Sequence, residues 1–164
     1  MFKKIINIGV ALVIAVSICG CGNNSAAKYN AVMYSDTIRW FNEDFLKENM
    51  TFGASFNGEY FGDKSLPKSR TFVIKEQSEF NGIFTEFPPE VNFEKEMLLI
   101  YIFTIDAVLS YNIMSVKLDG SVIKLEYKLK DQGDKLTGFA PGPWCLIVKM
   151  DKLEITGAEF TRIK

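Results

Sequence analysis

The sequence predicts an α+β domain: an antiparallel-rich β-sheet, one helix over about 77–85 packed on it, and an aromatic segment ahead of both. Three observations carry that prediction. Met97 to Phe103 (Met-Leu-Leu-Ile-Tyr-Ile-Phe) is apolar throughout, too short for a helix and without the alternation of a half-solvated strand, so it suits a central strand covered on both faces. Around Asp119-Gly120, alternating apolar and polar residues flank a dipeptide suited to a tight turn. Gln77 to Thr85 sets Phe80, Ile83 and Phe84 on one side of a helix, with Pro88-Pro89 beyond it as the expected stop.

At the amino terminus Lys3-Lys4 precedes an apolar run from Ile5 to Ile18, shorter than the ~20 residues of a spanning helix. Ile18-Cys19-Gly20-Cys21 resembles a bacterial lipobox, with an aliphatic residue three before the cysteine and a small one directly before it. That resemblance implies a signal peptide over 1–20, removed to leave Cys21 as an acylated amino terminus. Each buried methylene contributes about 0.8 kcal/mol, so two or three chains hold a protein on a membrane. Losing Lys3 and Lys4 takes two positive charges from the net −1 and leaves the mature chain at −3. Residues 21–34, small and polar at their start, are expected to form a tether, and 35–164 a single domain.

Within that domain Ser35-Asp36 can cap a helix beginning near Thr37, with Ile38, Phe41 and Phe45 on one face. A helix is the reading, and because Trp40 falls off the stripe a strand is the alternative. Phe52 to Phe61 carries four aromatics around Asn57-Gly58 and suits a hairpin or an irregular lobe; 62–69 is loop and Arg70 to Lys75 a short strand. A two-residue turn at Asp119-Gly120 pairs Leu118 with Ser121, Val116 with Ile123 and Met114 with Leu125, putting Met114, Val116 and Leu118 on the inner face. Asp131 to Pro143 is expected to be a loop, Trp144 to Met150 a strand beside 97–103, and Leu153 to Ile163 an edge strand broken at Gly157.

This order of elements, with Asn92-Phe93-Glu94-Lys95-Glu96-Met97 leading into the buried strand, is similar over Arg70 to Met150 to the C-terminal domain of PrcB-like protease-complex subunits. Those domains often carry Thr-Gly-Gly-Tyr after the buried strand; here Val108-Leu109-Ser110-Tyr111 keeps only the tyrosine. The resemblance implies a non-catalytic accessory or binding module.

The chain has no histidine, which excludes Ser-His-Asp and Cys-His catalysis and the commonest zinc ligand. A net charge of −1 argues against nucleic acid as a partner. With Cys19 discarded and Cys21 acylated, Cys145 is a lone thiol in an apolar strand, expected to be inert. Glu94/Glu96 and Asp131/Asp134 are the carboxylate pairs available, and solvated surface explains both more simply than catalysis. No catalytic residue, metal site or cofactor is expected. The expected function is binding to another envelope protein from the outer side of the membrane, with Tyr111, Phe139 and Trp144 as hydrophobic anchors. The alternative is a small-ligand or glycan pocket lined by Trp40, Phe41, Phe45, Phe52, Phe56, Tyr60 and Phe61.

Overall fold

The computed structural model describes residues 25–50, 52–54, 60–61, 67, 69–87, 89–107, 110–130 and 138–164. In chain order these form α1 (Ser25–Lys28), β1 (Val32–Thr37), a 3-10 turn (Ile38–Trp40), α2 (Glu43–Asn49), β2 (Phe52–Ala54), β3 (Tyr60–Phe61), β4 (Ser69–Ile74), α3 (Gln77–Ile83), β5 (Glu96–Ala107), β6 (Tyr111–Asp119), β7 (Val122–Leu129), β8 (Gly138–Asp151) and β9 (Gly157–Ile163). The α+β prediction matches: antiparallel pairing dominates, and a short helix covers the sheet.

Three layers follow from the apolar run in β5. The larger sheet has the order β1-β8-β5-β4, antiparallel throughout, with β5 and β8 in the middle. Side chains of a strand alternate between faces, so an unbroken apolar strand requires two covers. Met97 and Leu99 face a second sheet, β6-β7-β9, where they join Trp144, Leu146 and Val148 of β8 and Val116, Ile123 and Leu125 opposite. Leu98, Ile100 and Ile102 point the other way, with Cys145 and Ile147, into a core closed by Trp40, Phe41, Leu46, Ile83 and Phe84. Met97, Leu98, Leu99, Ile100 and Ile102 have no solvent exposure.

Aromatic rings build most of the helical cover. Phe84 lies 4.8 Å from both Phe41 and Phe80 and 5.2 Å from Phe87, and Phe80 reaches Phe93 at 5.6 Å. Helix α3 ends at Ile83, two residues before its expected end and well ahead of Pro88-Pro89. Pairing with a neighbouring segment ends it: Asn42 donates its N–H to the Ile83 carbonyl, Phe84 bridges Phe41, and Thr85 donates to the Trp40 carbonyl. The helix expected from near Thr37 begins only at Glu43, as α2, capped by the Asn42 side chain accepting from the Asp44 N–H at 2.9 Å; strand β1 ends at Thr37 and a 3-10 turn lies between them.

Four expectations need correction. Residues 25–34 of the expected tether over 21–34 are not tether: Ser25–Lys28 are helical, Ala26 is buried in the inter-sheet core and Val32 begins a strand against β8, while 21–24 lie outside the described residues. Asn30, at φ 48°, turns the chain into that strand, and its side-chain amide holds the Asp151 carboxylate. Secondly, the tight turn is Gly120-Ser121, one residue later than expected, because Asp119 pairs with Val122. Gly120 has φ 59° while Ser121 does not turn positive, the pattern of a type II′ turn with glycine first. Val116 therefore pairs with Leu125, and a bulge between Ile113 and Ser115 throws Met114 outward. Met114, 40% exposed, therefore leaves the core face to which alternation assigned it, while Leu118, opposite Ile123, keeps that face but lies at its open end, 45% exposed.

The third correction concerns 138–143, expected as loop: β8 begins at Gly138, with Thr104 opposite Pro143 and Ile105 opposite Gly142. The fourth is α3's end, described above. The expected pairing of 144–150 with 97–103 matches the observed register, Phe103 opposite Trp144 through Met97 opposite Met150. The hairpin expected over 52–61 appears as β2 paired with β3, while its Asn57-Gly58 turn lies outside the described residues. The edge strand expected over 153–163 is β9, which starts at Gly157 and runs parallel to β7.

The corrected hairpin register makes a direct prediction. Ile123→Ala removes a fully buried side chain and is expected to cost about 2–5 kcal/mol, whereas Leu118→Ala is expected to stay within about 0.5 kcal/mol. Urea unfolding of both variants checks this, and equal losses would contradict the exposed placement of Leu118 at the end of the hairpin.

Candidate functional site

The two sheets stack with β1 over β6 at one side and β4 beside β9 at the other. On the β4 side lies a cleft of about 670 Å³. Its floor is β4 itself, Thr71 to Ile74. One wall comes from the helical layer, with Phe45 and Asn49 of α2 and Gly82 and Ile83 of α3; the other comes from Thr156, Gly157 and Ala158 at the start of β9.

Each element is held in place by local chemistry. Phe72 turns toward the helices and meets the Phe45 ring at 5.1 Å, while Val73 turns toward the second sheet. Arg70 at the start of β4 donates to the Asn49 side-chain oxygen at 2.8 Å and lies over the Phe72 ring at 5.3 Å, which ties α2 to the strand. At the far end, the Lys75 ammonium donates to the Ile155 carbonyl at 2.7 Å and so fixes the β9 wall relative to β4. Glu79 accepts from the backbone N–H groups of Lys75 and Glu76, at 2.9 and 3.2 Å. Its carboxylate is thereby occupied in starting α3. The walls contain open space: a side-chain carbon built on Gly82 or Gly157 meets nothing within 4 Å.

The residues expected to form the site fall elsewhere. Tyr111 and Trp144 are only 7% and 6% exposed and belong to the inter-sheet core, so they do not present the docking surface expected of them. Tyr111 stacks edge-on to Tyr127 at 5.4 Å and lies 6.3 Å from Phe103. The cause is the extension of β8 back to Gly138, which carries Trp144 well inside the strand instead of at a loop end. Phe139 lies in the same strand, its side chain outside what is described, and Cys21 and the lipobox lie outside the described residues altogether. Burial raises the Tyr111 hydroxyl's pKa and pushes that of Tyr127 up to about 12, and the Tyr111 hydroxyl and Trp144 indole N–H have no hydrogen-bond partner among the described residues.

Trp40 and Phe41, proposed by sequence for a ligand pocket, are buried in the helix-side core, and Phe45 alone of those with described side chains reaches the cleft. Comparisons with family models, curated proteins and solved structures give no match. The cleft is therefore assigned on its own geometry. Sequence reasoning missed it because a free strand edge has no residue signature; it depends on which strand ends the sheet. The glycine in α3, a poor helix former in an amphipathic turn, was the one local signal.

Cys145 sits on the helix side of β8, fully buried, with its Sγ–H donating to the Asp36 carbonyl at 3.4 Å. Burial pushes its thiol up to about 12 from an ordinary 9.0, which keeps it neutral at physiological pH. A disulfide reagent at pH 8 is expected to leave the folded chain's Cys145 unmodified and to modify it within minutes in 8 M urea, as read by mass spectrometry. Rapid labelling of the folded protein would contradict its burial.

Proposed function

We propose that this chain is a lipid-anchored, extracytoplasmic binding module that docks another protein of the cell envelope and carries out no bond-making chemistry. The cleft along β4 carries this reading. It is elongated along a strand and lined by aliphatic, aromatic and amide groups around open space, a lining suited to a polypeptide surface. Its one carboxylate, Glu79, is committed to backbone N–H groups, which supports binding over acid–base work. The absence of histidine from the sequence and the PrcB-like resemblance of Arg70 to Met150 point in the same direction.

The anchoring half of the proposal rests on the lipobox at Ile18 to Cys21. In the mature chain four residues, Cys21 to Asn24, would separate the acyl chains from α1, a reach of about 14 Å at most. Because α1 rests against β6, that tether leaves from the side of the sandwich opposite the cleft. The cleft would then open away from the attachment point and toward a neighbour.

In a bacterial host, the chain is expected to incorporate labelled fatty acid and to fractionate with membranes, and Cys21→Ser to abolish both. A photocrosslinker at Thr71 is expected to capture one envelope protein reproducibly, while one at Lys117 on the second sheet captures none. Loss of acylation in the wild type would remove the anchoring half, and equal capture from both positions would remove the docking half.

A further inference from the structure

The floor of the cleft is a strand edge. β4 pairs with β5 on one side only, in unbroken register from Ser69 opposite Phe103 to Ile74 opposite Leu98. Alternate N–H and C=O groups along its other side have no strand partner among the described residues. Such a row is a template for another extended backbone. Folded proteins usually blunt exposed edges with bulges or charged side chains, and the other free edges here carry such features within the strand: a bulge at Met114 in β6, Glu159 and Arg162 in β9, Asp36 in β1. The one charge of β4, Arg70, lies near its start and is tied to Asn49. From Thr71 to Ile74 β4 has neither, and three of its four residues are β-branched.

We infer that an extended segment of a partner polypeptide, with apolar residues at alternate positions, adds to β4 as a fifth strand of the larger sheet. This deepens the docking function proposed above and depends on it. Six residues of β4 offer about 20 Å of edge, room for five or six residues of the partner. Side chains of an added strand would point alternately toward Phe45 and Ile83 on the helical wall and toward Gly157 and Ala158 on the β9 wall.

The geometry selects this occupant over two others. A second copy would have to bring its own β4 edge into contact, yet each edge lies between its own walls of α2, α3 and β9, so two recessed edges cannot meet. The mature amino-terminal tether is four residues long and begins beside β6, whereas β4 lies three strand spacings from β1, about 14 Å across the sheet. It is too short to cross that span and then run along β4.

The test is made with the acylated mature chain in detergent micelles and a displayed library of random linear decapeptides, from which binders are synthesised. Amide resonances of Thr71 to Ile74 are expected to shift on binding, with backbone-to-backbone proton contacts between peptide and β4. N-methylation at successive peptide nitrogens is expected to weaken binding about tenfold or more at every second position and little between, the period of a strand ladder. Gly82→Trp and Gly157→Trp are each expected to weaken binding similarly with melting temperature unchanged. A library with no binder, binders that shift resonances elsewhere, an N-methylation profile without a two-residue period, or a dimer joined through β4 would each overturn strand addition. If the photocrosslinked envelope partner is still captured by Gly82→Trp and Gly157→Trp, strand addition fails while the docking function stands; if no partner is captured at all, the docking function itself fails.

Discussion

Two adjacent strands that are apolar on both faces cannot be left with either face in water, and the rest of this fold is the consequence of covering them. β5 and β8 pair over eleven positions, and from Met97 to Ile102 and Trp144 to Val148 nearly every side chain is excluded from solvent. Full burial of one such aliphatic or aromatic side chain contributes about 1.5–3 kcal/mol. The second sheet covers one face, and the helices with their phenylalanines cover the other. No disulfide joins any of the described residues, where Cys145 is a buried thiol, so in this part of the chain these two cores carry the stability.

The same constraint places the site. A sheet covered on both faces can meet a partner only along its edges or across the outer surfaces of its covers. β1 and β4 are those edges, and the helical layer and the second sheet project past β4 to form a cleft around it. Ties at each end, Arg70 to Asn49 and Lys75 to the Ile155 carbonyl, hold both walls at a fixed separation. Preorganised walls lower the ordering cost of binding an extended segment, which is the main entropic penalty for a flexible ligand.

The centre of this structure was legible in the sequence because hydrophobic pattern is a local property. The run at 97–103, the run at 144–150 and the helix near 77–83 each announce burial through their own residues. Register was less legible. Asp119-Gly120 looks like a two-residue turn, yet the conformation glycine permits suits the first central position as well as the second, and a bulge at Met114 then shifts the alternation. Helix α3 stops at Ile83 because the chain pairs with 40–42, a contact 43 residues distant between Phe41 and Phe84 that no local motif reveals. The candidate anchors failed similarly: Tyr111 and Trp144 resemble surface aromatics beside a polar loop, but strand β8 extends back through 138–143 and encloses them.

The central claim is that β5 and β8 form the last part of the molecule to open, since both cores must be lost before either strand is freed. Native-state amide hydrogen exchange tests it most directly. The amides of Leu98 to Ile102 and Cys145 to Val148 are predicted to exchange only through global unfolding, with a denaturant dependence equal to that of the whole chain. Exchange of these amides through a smaller opening, while the second sheet or the helical layer stays protected, would contradict it.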